Sequence, residues 1–406
     1  MSHTPMTPLL PTVCLALMCA GASAETSPYY IGVAQTLAHE SNLIRLRDNQ
    51  ALPAGVSKSD TVSSTALVAG VDQPFGRQRL FGTANLSSNR YSRNNDFNSS
   101  GYALRLGLDW QTIERVSGRV AVSSDRTVRA DVRDASDRFI LRSNAENANQ
   151  LDASVSVGLV TRLSADATLQ QRDVRYSAAE ASYREYKQRS ASLGLRYKPG
   201  STTTWGLGLR QTRWDYPNLL TGLVDTNDRR TRNALDASLV WQPTGVSSYD
   251  VRLSSGKTEH RQFNGRDFSG VTGSLGWDWR PSGKLRFNTR LSRDTGQDAD
   301  RVTTAYTRTT DTLRVAADYA LSAKIGMNLS VSTYDRQLDG RGQVVSGLTG
   351  REKGNSLALG ARWAPVRSTV VGCNVSSDRL GSNSNAALND TFSATAFSCY
   401  GQFILQ

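Results

Sequence analysis

The most informative absence in this sequence is that of long apolar runs. A transmembrane helix needs about 20 consecutive apolar residues, yet only 38% of the chain is hydrophobic and one predominantly apolar stretch, residues 9–24, stands out. That stretch ends in Ala22-Ser23-Ala24, a small-residue pattern typical of signal-peptide cleavage. We therefore exclude a helical membrane protein. We predict a signal peptide over residues 1–24, followed by a single domain over residues 25–406.

Histidine is nearly absent as well. The chain has 3 histidines, and only His39 and His260 lie beyond the predicted cleavage point. Neither is accompanied by a serine nucleophile motif, a cluster of metal ligands or a glycine-rich phosphate loop. We therefore predict that the protein is not an enzyme and that it has no catalytic residues, no metal site and no cofactor.

Cysteine is also scarce, with 4 in the chain. Cys14 and Cys19 belong to the predicted signal peptide, which leaves Cys373 and Cys399 in an oxidising compartment. These two lie on the last two predicted strands, almost opposite each other and with the same parity. We predict a structural disulfide between them.

Acidic residues are fewer than basic ones, 36 against 48, so the formal net charge is +12. A basic protein suits an anionic partner. Because the chain is predicted to be secreted, we expect no nucleic-acid binding and favour lipopolysaccharide of the outer membrane or an acidic polysaccharide. The alternative is that arginine merely solvates a large polar surface.

What the sequence does contain is a repeat of alternating segments. Apolar residues alternate with small or polar ones and a turn follows, as in residues 102–110, 151–159 and 271–279. Such alternation predicts strands with one apolar and one polar face. Several segments end in an aromatic residue followed by a turn, which places that residue at a membrane interface. The clearest examples are Tyr197, Trp241, Trp279 and Trp363.

Short turns alternate with longer polar loops along the chain, an asymmetry typical of bacterial outer-membrane barrels. The longer loops are predicted at residues 47–57, 131–144, 217–229 and 338–352. We count about 18 strands, an even number as in such barrels. The first two are predicted at residues 29–43 and 60–73, and the last two at 369–378 and 390–405. The prediction is an all-β fold, a transmembrane antiparallel β-barrel, with a soluble β-sandwich or β-helix as the alternatives.

If the apolar face contacts lipid, the alternate positions line the lumen. A barrel of this size is too wide for side chains to fill, so we predict an aqueous lumen that a loop can narrow. Arginine in excess on that face favours anions, whereas a ladder of Arg–Asp pairs that stiffens the wall is the alternative role. The candidates are Arg105, Arg119, Arg196, Arg210, Arg252, Arg286, Arg290, Arg314 and Arg362.

Three stretches resemble a known family. They are residues 30–45, residues 59–65 together with 70–80, and residues 399–406. In these strand and turn patterns the chain resembles the β-barrel porin 2 family and, within it, the EpsL proteins of exopolysaccharide biosynthesis operons. The resemblance implies an outer-membrane component of polysaccharide production and export, and it implies no catalytic residues.

The leading hypothesis is export of an exopolysaccharide across the bacterial outer membrane through an arginine-lined lumen. Other components of the polysaccharide export machinery would be partners and would supply the energy. Two alternatives are a structural barrel that retains polysaccharide at the cell surface and a general diffusion porin. The first hypothesis predicts an open lumen, the second a plugged lumen with a sugar-binding outer rim, and the third permeability effects without any change in polymer.

Overall fold

The computed structural model describes residues 27–48, 50–113, 115–130, 134, 138–160, 162–221, 224–261, 267–298, 306–340, 349–384 and 391–406. The predicted signal peptide lies outside these ranges, so its cleavage stays a prediction. Among the described residues no helix is long and apolar enough to cross a membrane. Two short 3-10 helices, Asn95–Phe97 and Ala179–Arg184, lie in loops.

The remaining secondary structure is one 18-stranded sheet. In chain order the strands β1 to β18 are Tyr29–Glu40, Asp60–Phe75, Gln78–Tyr91, Ser99–Gln111, Val116–Arg129, Asn144–Val160, Leu163–Tyr176, Tyr186–Tyr197, Thr203–Thr221, Val224–Thr244, Ser247–His260, Phe268–Trp279, Leu285–Asp298, Tyr306–Ala320, Ile325–Gly340, Thr349–Val366, Thr369–Ser384 and Phe392–Leu405. Each strand pairs antiparallel with the next, and β1 also pairs with β18 from Ile31↔Leu405 to Glu40↔Ala396. This pairing closes the sheet into a barrel without edges, which lets the backbone satisfy its hydrogen bonds inside a membrane. The predicted antiparallel β-barrel is confirmed.

Alternate residues face opposite sides of the wall. Leu193, Leu209 and Leu169 are 69%, 67% and 63% exposed, although leucine is normally buried in a soluble protein. Positions of the opposite parity carry buried polar side chains, such as Gln188 on the strand of Leu193 and Thr212 on the strand of Leu209. Since a closed barrel has only an outer and an inner face, the leucines form a lipid-facing surface and the polar residues face the lumen.

Aromatic side chains form a band on the outer face near the short turns. Trp241, Tyr249, Trp277, Trp279 and Phe287 follow one another across β10 to β13 with ring centroids 5.3 to 6.1 Å apart. Tyr197 ends β8, and Trp363 lies three residues before the end of β16. The predicted interfacial positions of these strand-end aromatics are thereby matched by an aromatic girdle.

Both chain ends of the barrel lie beside the short turns, because β1 begins and β18 ends there. Gly76, at φ +62°, forms the tight turn between β2 and β3. The long connections all lie at the opposite end. In outer-membrane barrels short turns face the periplasm and long loops face outward, so the two ends can be assigned.

Several predicted boundaries were wrong at the loop end of the barrel. Residues 41–43 are not part of β1, which ends at Glu40, whereas β17 extends six residues beyond the predicted end at 378. The predicted loop 217–229 is largely strand, because β9 runs to Thr221 and β10 starts at Val224. Residues 338–340 and 349–352 are also strand. Polar composition misled the prediction here, since a strand that rises above the membrane no longer needs an apolar face.

Cys373 and Cys399 lie directly opposite each other on β17 and β18 and form a disulfide with a Cα–Cα distance of 4.0 Å. They share the parity of Val375 and Phe397, which are 48% and 55% exposed. The disulfide therefore faces the membrane and joins the last hairpin on the lipid side.

Candidate functional site: the arginine-lined lumen

The nine predicted lumen arginines all alternate with lipid-facing apolar residues on their strands. Arg105, for example, lies between Leu104 and Leu106, which are 40% and 50% exposed on the outer face. The same parity places the other eight on the inner face: Arg119, Arg196, Arg210, Arg252, Arg286, Arg290, Arg314 and Arg362. The structure thus collects arginines from eight strands on one surface.

Six of the nine have an aspartate partner on the same inner face. The pairs within 4.0 Å are Arg119–Asp109, Arg196–Asp166, Arg210–Asp236, Arg252–Asp250, Arg286–Asp278 and Arg290–Asp250. Pairs as exposed as most of these stabilise a protein by only about 0–1 kcal/mol each. Five of them join different strands weakly, whereas Arg252–Asp250 lies within β11, and together they leave a hydrated surface of mixed charge.

The other three, Arg105, Arg314 and Arg362, have no acidic side chain within 4.0 Å in the described part of the chain. All three are exposed to the lumen. Arg314 lies directly opposite Arg290 in the β13–β14 register, and like charges so placed repel each other. This part of the wall therefore presents positive charge that the described protein does not neutralise.

A second cluster surrounds the Phe81 ring on the inner face of β3. The guanidinium groups of Arg79, Arg105 and Arg119 lie 5.8, 5.8 and 5.1 Å from its centroid, within the range of cation–π attraction. Arg79 also binds Asp72 through both carboxylate oxygens. The ring lies flat over Gly107, where a Cβ atom would overlap it. This cluster combines an aromatic face with several cations at the periplasmic end of the lumen.

Accessibility falls from the periplasmic end of the lumen to the outer end. Near the short turns the side chains of Arg119, Arg196 and Arg286 are 49%, 53% and 42% exposed. Further from the turns Arg210 and Arg230 are 11% and 7% exposed. The lumen therefore has an open vestibule at the periplasmic end and closely packed polar side chains above it.

The first long loop, residues 41–59, narrows the outer end. Arg45, at φ +51°, donates to a Glu40 carboxylate oxygen at 2.6 Å and lies 3.5 Å from Asp378. Its guanidinium also lies 5.6 Å from the centre of the Phe392 ring. Because Glu40, Asp378 and Phe392 all have inner-face parity, the loop folds into the mouth of the barrel. This loop is called L1 below.

L1 is held there by a small apolar core. Leu43, Ile44 and Leu46 are almost completely buried against Phe97 and Ala130, from the next two loops. Asn42 adds hydrogen bonds to both backbone groups of Leu46 and to the Ser393 carbonyl. These contacts fix the loop across β17, β18 and the first strands.

The loop after β3 is fixed by Asp60, which is 1% exposed. Its carboxylate accepts hydrogen bonds from the backbone N–H groups of Ser92, Arg93 and Asn94, and from the Asn94 side chain. Asn94 thus helps to fix this loop, because its side chain bonds both to Asp60 and to the backbone of Ser57. Hydrogen bonds from backbone N–H groups to an ionised carboxylate are stronger than those between neutral groups, so they hold this loop firmly.

At the loop after β7, Arg142 binds both carboxylate oxygens of Glu180, the closer at 2.7 Å. A hydrogen bond that the Glu180 backbone N–H donates to its own carboxylate, together with the bond from Arg142, lowers the pKa of Glu180. This link joins two loops of the outer rim through an exposed ion pair.

The two histidines do not meet. His39 has outer-face parity on β1, and its Nδ1 lies 3.0 Å from the Thr61 hydroxyl. His260 has inner-face parity on β11, and its Nδ1 lies 3.6 Å from Asp267. Among the described residues no group of three histidine, cysteine, aspartate or glutamate residues could hold a metal ion.

Several lumen groups escaped the sequence reasoning. They include the buried pair Arg230–Asp228, with an Nε–Oδ2 distance of 2.9 Å, and the pair Arg336–Glu352. Asp228 and Glu352 lie within the predicted loops 217–229 and 338–352, and Arg230 and Arg336 lie one or two residues outside them. Extending the alternation through the polar ends of the strands would have found them.

No family model and no curated protein matches this sequence. Among solved structures, the FrpB iron transporter from Neisseria meningitidis superposes with a TM-score of 0.50 at 8% identity, over 93% of this chain and 81% of that one. OccK2 (OpdF) from Pseudomonas aeruginosa superposes with a TM-score of 0.50 at 13% identity, over 93% and 98% of the two chains. At these identities the likeness is one of fold.

The outer apolar surface, the aromatic girdle and the closed 18-stranded sheet together require a membrane around the barrel. The fold is shared with outer-membrane proteins of Gram-negative bacteria. The protein is an outer-membrane β-barrel, as the sequence predicted.

Proposed function

We propose that the barrel is a passive passage for an anionic saccharide chain in exopolysaccharide export. The observation that carries this proposal is the periplasmic vestibule, in which Arg314 and Arg362 face the lumen without an acidic partner in the described part of the chain. Unpaired cations at an accessible surface attract anions and raise their local concentration. The end of the lumen with the more accessible side chains faces the compartment from which an exported polymer would enter.

Aromatic rings beside these cations suit a sugar rather than a bare ion. Arg362 lies opposite Gly372, and the Tyr400 ring covers Gly372 from the next strand. Phe81 lies among Arg79, Arg105 and Arg119. Higher in the lumen the Tyr186 and Tyr216 rings lie 5.6 Å apart. Aromatic faces pack on the apolar faces of sugar rings, while guanidinium groups bind carboxylates.

Selectivity of the purified barrel tests the vestibule. In planar bilayers under a potassium chloride gradient, the wild type is expected to favour chloride, as the sign of the reversal potential will show. The double variant Arg314→Ala/Arg362→Ala should shift that potential toward zero, because the two unpaired charges are gone. Arg293→Ala/Arg351→Ala is the matched control, since it removes the same charge from outer-face ion pairs. A cation-selective wild type, or equal shifts in both variants, would contradict an anion-favouring lumen.

Polymer fractionation tests the export role itself. A strain lacking the gene should accumulate polysaccharide in the periplasm, and the wild-type gene should restore it to the cell surface and medium. The Arg314→Ala/Arg362→Ala variant should restore it less well than the control variant. Normal total polymer that is shed instead of retained would favour the structural alternative. Unchanged polymer in every fraction would leave a general diffusion porin, which the fold likewise accommodates.

The other partners follow from the same proposal. A passive barrel needs inner components of the export machinery to drive the chain, because diffusion along a hydrated lumen supplies no energy of its own. No catalytic step is part of the proposed function.

A further inference from the structure

The outer wall carries a groove across β2 to β7. It has a volume of about 780 Å³ and is lined mainly by two adjacent rows of outer-face residues. In each row, successive residues lie directly opposite each other on neighbouring strands. The first row consists of Val71, Gly82, Leu106, Val122 and Leu151. The second row consists of Ala69, Ala84, Leu104, Ser124 and Asn149. Small residues at 69, 82 and 84 form its floor, and leucines form its flanks.

The groove is apolar along most of its length. It lies on the surface that faces lipid, where its flanking residues Leu104, Leu106 and Leu151 are 40%, 50% and 45% exposed. A depression of this kind in a membrane-facing wall accommodates a hydrocarbon chain, because the chain restores the contacts that the small floor residues leave unmade.

Both rows continue into charged residues on the neighbouring strands. The first row passes through Gln171 to Arg189 and Arg213, which are directly opposite each other on β8 and β9. Both arginines are exposed, and neither has an ion pair or side-chain hydrogen bond within the described ranges. In the second row, by contrast, Lys187 lies 3.8 Å from Asp173 and Arg229 lies 2.6 Å from Asp215.

Two unpaired arginines directly opposite each other are unfavourable unless an anion lies between them. They lie eight residues above the Tyr197↔Trp205 pair of the aromatic girdle. With a rise of about 3.3 Å per residue and a strand tilt of about 40°, that is roughly 20 Å higher. The apolar band of such barrels is about 25 Å tall, so the backbone at Arg189 and Arg213 lies about 5 Å below its outer edge. Their long side chains extend from there to the outer-leaflet head groups.

We propose that Arg189 and Arg213 bind a phosphate of lipopolysaccharide and that one of its acyl chains occupies the groove. Guanidinium groups bind phosphate through paired hydrogen bonds. The groove and the arginines are continuous along the first row, so one amphipathic molecule can satisfy both. This lipid site lies on the outer wall and is independent of what the lumen carries.

Native mass spectrometry of the purified barrel with added lipid A tests the site. Wild type should retain lipid A, and Arg189→Ala/Arg213→Ala should weaken that binding by about tenfold or more, since charge-assisted bonds to phosphate are lost. Arg293→Ala/Arg351→Ala removes the same charge elsewhere on the outer wall and should bind as wild type does. Equal binding by the two double variants would overturn the phosphate site.

Two further measurements separate the parts of the site. Ala84→Phe fills the groove without touching the arginines, and it should also weaken lipid A binding; unchanged binding would overturn the acyl-chain site. Phosphatidylglycerol is the competing probe. If it binds as tightly as lipid A and is equally sensitive to Arg189→Ala/Arg213→Ala, the choice of lipopolysaccharide is wrong. Heat-modifiable migration in gels confirms that each variant is folded before binding is compared.

Discussion

At the scale of single residues, the lumen is kept open by aromatic rings that lie flat on glycines. Tyr30 covers Gly70, Phe81 covers Gly107 and Tyr400 covers Gly372, each directly across a strand pair. The missing side chain gives the ring a place against the wall. A large apolar side chain thereby lines the lumen without filling it, and its face stays available to a ligand.

The substitution Gly107→Leu tests this arrangement. Its side chain would take the place of the Phe81 ring, which must then turn into the vestibule. We expect a smaller single-channel conductance and a loss of about 1–3 kcal/mol in the free energy of unfolding, as for other overpacked sites. Adding Phe81→Ala to Gly107→Leu should recover the conductance. Wild-type conductance in Gly107→Leu alone would show that the ring does not depend on the glycine.

At the scale of elements, L1 narrows the outer end of the lumen in the part of the chain that the structure describes. Ile44 is fully buried against Phe97, and Arg45 reaches the inner faces of β1 and β17. A loop with its own apolar core behaves as a fixed constriction. The vestibule below it remains lined by strands alone.

Ile44→Asp should release L1 from the mouth. A carboxylate cannot be buried among Leu43, Leu46 and Phe97, so the local packing is lost at a cost of about 3 kcal/mol. We expect a larger conductance and faster proteolysis of L1. Ile113→Asp is the control, because Ile113 is 83% exposed at a short turn. Conductance that is equal in the two variants would mean that L1 does not limit the passage.

The disulfide between β17 and β18 stabilises the last hairpin. Cys373 and Cys399 are 26 residues apart, so in a chain-entropy model the bond stabilises the fold by about 3 kcal/mol through the unfolded chain. Cys373→Ser/Cys399→Ser should therefore unfold at lower urea concentration, which gel mobility of the unheated protein can follow. Reduction of the wild type should give the same shift. An unchanged urea midpoint after reduction would show that the hairpin is held by its ladder alone.

At the scale of the whole molecule, orientation follows from the asymmetry of the two ends. Short turns such as the one at Ser282, between β12 and β13, lie at the same end as the chain termini of the barrel. L1 and the other long connections lie at the opposite end. This places the open vestibule toward the periplasm.

Cysteine labelling in intact cells checks that orientation. Ala54→Cys, at an exposed position of L1, should react with a membrane-impermeant maleimide, whereas Ser282→Cys should react only after the outer membrane is permeabilised. The native cysteines are joined in the disulfide and should not react. Labelling of Ser282→Cys in intact cells would reverse the assignment of the two ends.

The sequence by itself predicted the barrel, its strand number of about 18 and the face on which residues of the membrane-spanning segments lie. Alternation has a period of two, so residues such as Arg105 and Leu106 must point to opposite sides once a strand is recognised. Interfacial aromatics such as Trp279 were likewise visible, because the membrane imposes the same composition on every hairpin. The alternation predicted strands correctly wherever their outer face contacts lipid. It did not predict the strand segments that rise above the membrane, such as most of residues 217–229.

Only the tertiary structure decided which charges meet, where L1 lies and how the outer rows connect. Arg189 and Arg213 are 24 positions apart, and their opposition depends on the register of β8 and β9. Ile44 meets Phe97 and Ala130 only because three loops converge at one end of the barrel. These relations join residues that are distant in the chain, and no local periodicity encodes them. The wall of the barrel is therefore encoded by the alternation of residues within each strand. Its vestibule, its constriction and its outer groove depend instead on how the strands pair and close into a barrel.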